Sequence, residues 1–244
     1  MAKTNITGLF DMHNHILFGV DDGAQNIEES LQMLQIAYDD GIRSVLCTPH
    51  FHPKRGMAHF RNIKENFAQL KEAAAHHWDD LELYLGREVY FRHDVLEEEK
   101  NEKFLMAGTD IMLVEFSTSA DEGYIKHAVT DLLFAGYQPI IAHVERYACA
   151  VKNKNFVKDL RDLGAYIQIN ADSVLGKSGF VVKGAVKHFL KNGWVDFVSS
   201  DAHDIKTRRP ELSACYAYVA KKYGEDYANT IFIENAKSVV MAEF

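Results

Sequence analysis

An α/β fold built on a parallel sheet is what this sequence predicts. Short apolar runs alternate with amphipathic stretches along all 244 residues, the pattern of βαβ units. The runs recur about every thirty residues, the length of one such unit. No linker rich in Pro, Gly or Ser breaks the alternation, so the expectation is one domain spanning residues 1–244.

The strand-like runs are 8–13, 42–48, 81–88, 110–116, 138–144, 165–170 and 195–203. Helical periodicity follows the first from Ile27 to Asp40, with Leu31, Leu34 and Tyr38 on one face and Gly41 as the stop. Further helices are expected at 58–77, 93–100, 122–135, 154–163, 178–192, 211–223 and 235–243. Residues 231–235, IFIEN, read equally as a strand or as a helix start. Right-handed crossovers leave two architectures, an open doubly wound sheet or a closed barrel. Without a Gly-rich phosphate loop after the first strand, a nucleotide-binding fold is disfavoured.

Composition narrows the function. A net charge of −8 disfavours a broad basic surface for nucleic acid. Cys47, Cys149 and Cys215 are too few and too scattered for a disulfide framework, so reduced thiols in a cytoplasmic protein are expected. We read no signal peptide at the N-terminus and no apolar run long enough to span a membrane. Thiol-based tyrosine phosphatases need C-x5-R, yet Pro53, Asn155 and Lys221 stand six positions after the three cysteines.

The strand ends carry the chemistry. In order they present His13-Asn14-His15, His50, Glu88, Glu115, His143, Asn170 and Asp201-Ala202-His203, at steps of 27 to 38 residues. Parallel α/β sheets gather their functional groups at the C-terminal ends of strands. One H-x-H in a chain with 12 histidines is close to chance; ligand types at nearly every strand end are not. Imidazole with carboxylate suits Mn, Fe or Zn. A set this large suggests two or three ions, which suits phosphoryl transfer.

The segments DMHNH (11–15), VDDG (20–23), TPH (48–50), GREVY (86–90), AHVERY (142–147) and SDAH (200–203) resemble the polymerase-and-histidinol-phosphatase (PHP) superfamily. More closely, the chain resembles bacterial manganese-dependent protein-tyrosine phosphatases of capsule and exopolysaccharide operons. The resemblance implies a distorted TIM-like (βα)7 barrel holding three ions, Mn²⁺ or else Fe or Zn. It assigns His13, His15, Glu88 and Asp201 to one ion. A second takes Glu88, Glu115 and His143, and a third takes Asp22, His50 and His203. Arg146 and Arg208 match the family's phosphate-binding arginines, although Val144 stands where Pro is more usual. The implied activity is hydrolysis of phosphotyrosine by a metal-bound hydroxide. The implied partner is a tyrosine-phosphorylated protein, a bacterial tyrosine kinase. A small-molecule phosphatase, for instance for histidinol phosphate, is the alternative. Asn170 is expected beside the ligands, His52 and His59 at the mouth, and Phe18, Phe51 and Tyr90 in the pocket wall or core.

Overall fold

The structure, a computed structural model, describes residues 6–51, 60–98, 106 and 109–240. The expected loop at 49–59, with His52 and His59, lies mostly outside the described residues. Nine strands are present among those described: β1 Leu9–Asp11, β2 Ile42–Cys47, β3 His50–Phe51, β4 Glu82–Leu85, β5 Glu88–Tyr90, β6 Ile111–Glu115, β7 Gln138–Ile141, β8 Tyr166–Asn170 and β9 Phe197–Ser199. Every pairing is parallel.

One sheet runs β1-β2-β4 and the other β3-β5-β6-β7-β8-β9. The expected second and third strands are each broken in two. β3 follows β2 after Thr48-Pro49, and β5 follows β4 after Gly86-Arg87. Pro49 has no N–H for a ladder, which suits a break there. Each continuation joins the second sheet, so the two sheets form one curled surface.

The helices are α1 Ile27–Asp39, α2 Phe60–Ala75, α3 Val95–Glu98, α4 Glu122–Phe134, α5 Ala148–Lys152, α6 Asn155–Leu163, α7 Ala171–Leu175, α8 Phe180–Lys191, α9 Ser213–Tyr223, α10 Glu225–Asn229 and α11 Asn235–Val240. The Asn26 side chain accepts from Glu29 N–H to cap α1, and Asp121 accepts from Tyr124 N–H to cap α4. Helices α5 and α7, like α10 later in the chain, were not expected. All three are single short turns, below the length that periodicity resolves, and α5 and α7 each come directly after a site-bearing segment. Residues 230–234, ambiguous in sequence, form a π-helical turn between α10 and α11.

Alternation sorts the side chains. Along β6, Met112 and Val114 join the large cluster packed under the helices. Leu113 turns the other way, into a second cluster with Phe10, Leu46, Ile140 and Phe197. Ala236, Val239 and Val240 of α11 complete that second cluster. Glu115, two residues beyond Leu113, stands among the site's polar groups.

Candidate metal centre

The first strand is shorter than expected, and so is the last. β1 ends at Asp11 and β9 at Ser199, so His13, His15, Asp201 and His203 lie beyond them. A single parallel bridge, Asn14 to Ala202, ties the two strand ends together. It is flanked by His15 N–H donating to Ala202 C=O at 2.8 Å and Asp201 N–H donating to His13 C=O at 2.8 Å. This pairing holds the H-x-H segment in register past the strand proper, so that His13 and His15 both face Glu88.

Among the described non-glycine residues, His143 and Asp201 alone have positive φ, at 33° and 52°. Such backbone costs about 1–3 kcal/mol per residue and persists where packing over-determines it. Gly23 explains the D-D-G segment. A Cβ there would stand 2.0 Å from the His15 carbonyl oxygen. Only glycine lets the 21–24 loop lie against the H-x-H backbone, where Ala24 N–H donates to His15 C=O.

All nine expected ligands come together. Glu88 is fully buried at the centre. Its Oε1 lies 3.2 Å from His13 Nε2 and 2.8 Å from His143 Nε2. Its Oε2 lies 3.4 Å from His15 Nε2 and 2.8 Å from His50 Nδ1. Glu115 sits 3.3 Å from His50 Nδ1 and 3.9 Å from His143 Nε2. Asp22 reaches His50 Nε2 at 3.4 Å and His203 Nε2 at 3.5 Å.

Asp201 divides its carboxylate between two tasks. Oδ1 faces His15 Nε2 at 3.5 Å, and His13 Nε2 and His203 Nδ1 at 3.6 Å. Oδ2 accepts from Arg208 at 2.7 Å, Asn170 Nδ2 at 2.8 Å and Arg146 at 3.2 Å. Both arginines therefore border a cavity of about 420 Å³ that also touches Glu88, Glu115, His143 and Tyr90. Phe18 and Phe51 pack against the core.

The donor set fits divalent metal. His13 Nε2, His15 Nε2, His50 Nδ1 and Glu88 Oε2 are buried without a hydrogen-bond partner, a costly arrangement unless something else satisfies them. Donor atoms cluster within 4.8 Å in three groups: His13, His15 and Glu88; His50, Glu88 and Glu115; and His15, Asp22, His50 and His203. These overlap the three ligand sets implied by the resemblance, with His15 and His50 each shared more widely and His143 and Asp201 outside all three groups. Burial works against charge on His13, yet Glu88 and Asp201 outweigh it and raise its pKa. For His15 burial is outweighed by Asp21 and Asp201, and for His50 by Glu88, Asp22 and Glu115. Burial opposes charge on Glu88 and Asp201 too, and the facing imidazoles hold both well below the usual carboxylate range. His203 differs: burial and then His15 press it down to about 3, leaving it neutral.

Two supporting residues escaped the sequence reading. Asp21 Oδ2 lies 2.7 Å from His15 Nδ1 and accepts from His50 N–H at 2.9 Å. Gln168 Oε1 accepts from His143 N–H at 2.7 Å and lies 3.1 Å from His13 Nδ1. With Nδ1–H donated outward, each imidazole turns an Nε2 lone pair inward. Gln168 Nε2 then donates to Asn170 Oδ1, continuing the chain to Asp201. A period-2 reading from Asn170 back along β8 points to Gln168. Asp21 carried the signal of its neighbour Asp22 and was passed over.

The three cysteines are free. Burial pushes the Cys47 thiol up to about 12 and raises Cys149 and Cys215 as well. None is a ready thiolate nucleophile.

Fold and site together define a class: an α/β protein whose strand ends converge on a His–carboxylate centre suited to divalent metal. The family is narrower. Residues 9–241 match the capsular polysaccharide synthesis family CpsB/CapC, and the chain belongs to it. It is 35% identical over 241 residues to the tyrosine-protein phosphatase CpsB of Streptococcus pneumoniae, covering 96% of this chain and 98% of that one. A crystal structure from work on YwqE of Bacillus subtilis and CpsB of S. pneumoniae, described as metal-dependent tyrosine phosphatases, superposes with a TM-score of 0.87. The identity there is 28%, over 96% of this chain and 95% of the other. The phosphotriesterase homology protein of Escherichia coli shares the fold, with a TM-score of 0.63 at 13% identity over 98% and 100% of the two chains.

Proposed function

We propose that this protein is a metal-dependent protein-tyrosine phosphatase, a single domain on a distorted (βα)7 barrel. The curled parallel sheet and the Asn14–Ala202 bridge support the barrel, with β3 and β5 continuing β2 and β4. Kinship with CpsB and YwqE supports the activity.

The observation that carries the reading is the divided Asp201 carboxylate, one oxygen toward imidazoles and the other toward Arg146 and Arg208. A phosphate bound between them touches both halves of the site. We assign His13, His15, Glu88 and Asp201 to one ion, Glu88, Glu115 and His143 to a second, and Asp22, His50 and His203 to a third, with manganese as the leading species. When bound, such ions supply Lewis-acid stabilisation and an acidified water for phosphoryl transfer. Arg146 and Arg208 release part of their hold on Asp201 to take phosphoryl oxygens in planar, paired contacts. Asp21 and Gln168 fix the imidazoles. A phenolate leaving group has a conjugate-acid pKa of about 10, so it needs little protonation to depart. Three free thiols support a cytoplasmic location, and a tyrosine-phosphorylated protein, a bacterial tyrosine kinase, is the substrate we favour.

The test compares a phosphotyrosine peptide, p-nitrophenyl phosphate and histidinol phosphate, with Mn²⁺ and then with EDTA. Chelator-sensitive turnover favouring the peptide is expected. Preference for histidinol phosphate would keep the centre and discard the substrate.

A further inference from the structure

A second cavity, of about 620 Å³, adjoins the first and shares Thr118, Arg146, Asp201 and Arg208 with it. Its volume falls in the range of roughly 300–1,000 Å³ typical of ligand pockets. Asp172, Ser173, Lys177 and Ser178 in its lining take no part in the centre described above.

Its outer wall comes from α7 and the turn that follows it. Ser173 Oγ and Ser178 Oγ lie 3.0 Å apart there, and Lys177 Nζ pairs with Asp172 at 2.7 Å. The Lys177 side chain is 58% exposed. An ion pair this open contributes about 0–1 kcal/mol, so Lys177 can exchange Asp172 for another anion at little cost. Three cations, Arg146, Lys177 and Arg208, face two carboxylates, Asp172 and Asp201. Asp201 is already held by imidazoles through its other oxygen. The cavity thus offers positive charge and hydroxyl donors. Two residues past Ser178, at the start of α8, Phe180 and Val181 stand 94% and 74% exposed.

We propose that this outer cavity binds the polypeptide flanking the phosphotyrosine, through an acidic side chain of the substrate placed against Lys177. The inference rests on the tyrosine-phosphatase reading and extends it. Charge complementarity selects an acidic segment, and the shared arginines make the cavity continuous with the phosphate site. A substrate lacking neighbouring residues, such as p-nitrophenyl phosphate, reaches the metal centre and leaves the outer cavity unused.

The experiment pairs two phosphotyrosine peptides that differ only in Asp and Glu versus Asn and Gln on both sides of the tyrosine. The wild type should favour the acidic peptide by about fivefold in kcat/KM, the worth of one partly exposed ion pair. Lys177→Glu should abolish or invert that ratio, and raised salt should shrink it in the wild type. A ratio that is the same in both proteins, or near one in the wild type, overturns the inference while leaving the phosphatase. Turnover of histidinol phosphate with none of either peptide overturns the phosphatase reading first, and the outer cavity's role with it.

Discussion

Two ends of the same strands have opposite characters. At one, Phe10, Leu46, Leu113, Ile140 and Phe197 pack with α11 into a dry cluster. At the other, two to four residues further along, stand His13, His50, Glu115, His143 and Asp201. The apolar end is held by area removed from water, a force without direction. The polar end is held by hydrogen bonds and ion contacts that are directional, and both left-handed non-glycine residues among those described belong to it. Close-packed apolar groups therefore carry stability, while the polar groups hold strained backbone and buried donor atoms that a suitable cation would satisfy. Changes at the two ends should separate function from stability.

Asp201→Ala should produce the largest effect on function. It removes one oxygen from the imidazoles and the other from both arginines and Asn170. Phosphatase activity should fall by more than about a hundredfold, beyond what loss of an outer partner does. A variant with near-wild-type turnover would take Asp201 out of the centre. Gln168→Leu should come next. It keeps the bulk but frees His13 and His143 from their common acceptor. Manganese affinity, read by competition with a chelator, should weaken about 10–100-fold. Unchanged affinity would mean that packing alone orients His13.

Much of this division was legible in the sequence. Strand-end spacing gathered eight of the nine ligand candidates, and the resemblance carried by the D-D-G segment added Asp22. The breaks at Pro49 and Gly86-Arg87 were not legible, because a continuous apolar run hides a strand that changes partners. Nor was the shortness of β1 and β9, since the pairing beyond them is one bridge between residues 188 apart in sequence. Asp21 and Gln168 were missed because their role is defined by atoms on other strands. Local pattern encodes the frame; the orientation of each imidazole is a long-range property.

Ile140→Ala probes the apolar end. Ile140 is fully buried in the cluster that α11 closes. The variant should lose about 2–5 kcal/mol of stability to transfer and cavity terms. Its manganese affinity and kcat per folded molecule should stay near wild type, the reverse of Gln168→Leu. A large loss of metal affinity would show that the two ends are coupled and that the contrast drawn above is too sharp.

The smallest effect belongs to Asp196, a buried carboxylate just before β9. It accepts from Ile167 N–H at 2.9 Å and from Arg161 at 3.0 Å. Burial outweighs both and leaves its pKa above the usual value. A carboxyl whose folded pKa is raised contributes stability in its protonated form, present below the unfolded pKa of about 3.9 and lost as pH rises through the folded value. Asp196→Asn cannot ionise and escapes that loss. The Tm of the variant relative to wild type should therefore rise between pH 4 and neutrality, by a modest amount because Arg161 offsets part of the ionisation cost. A difference that stays flat, or moves the other way, would mean that the Arg161 pair outweighs burial, making this carboxylate a source of stability at neutral pH like those of the metal centre.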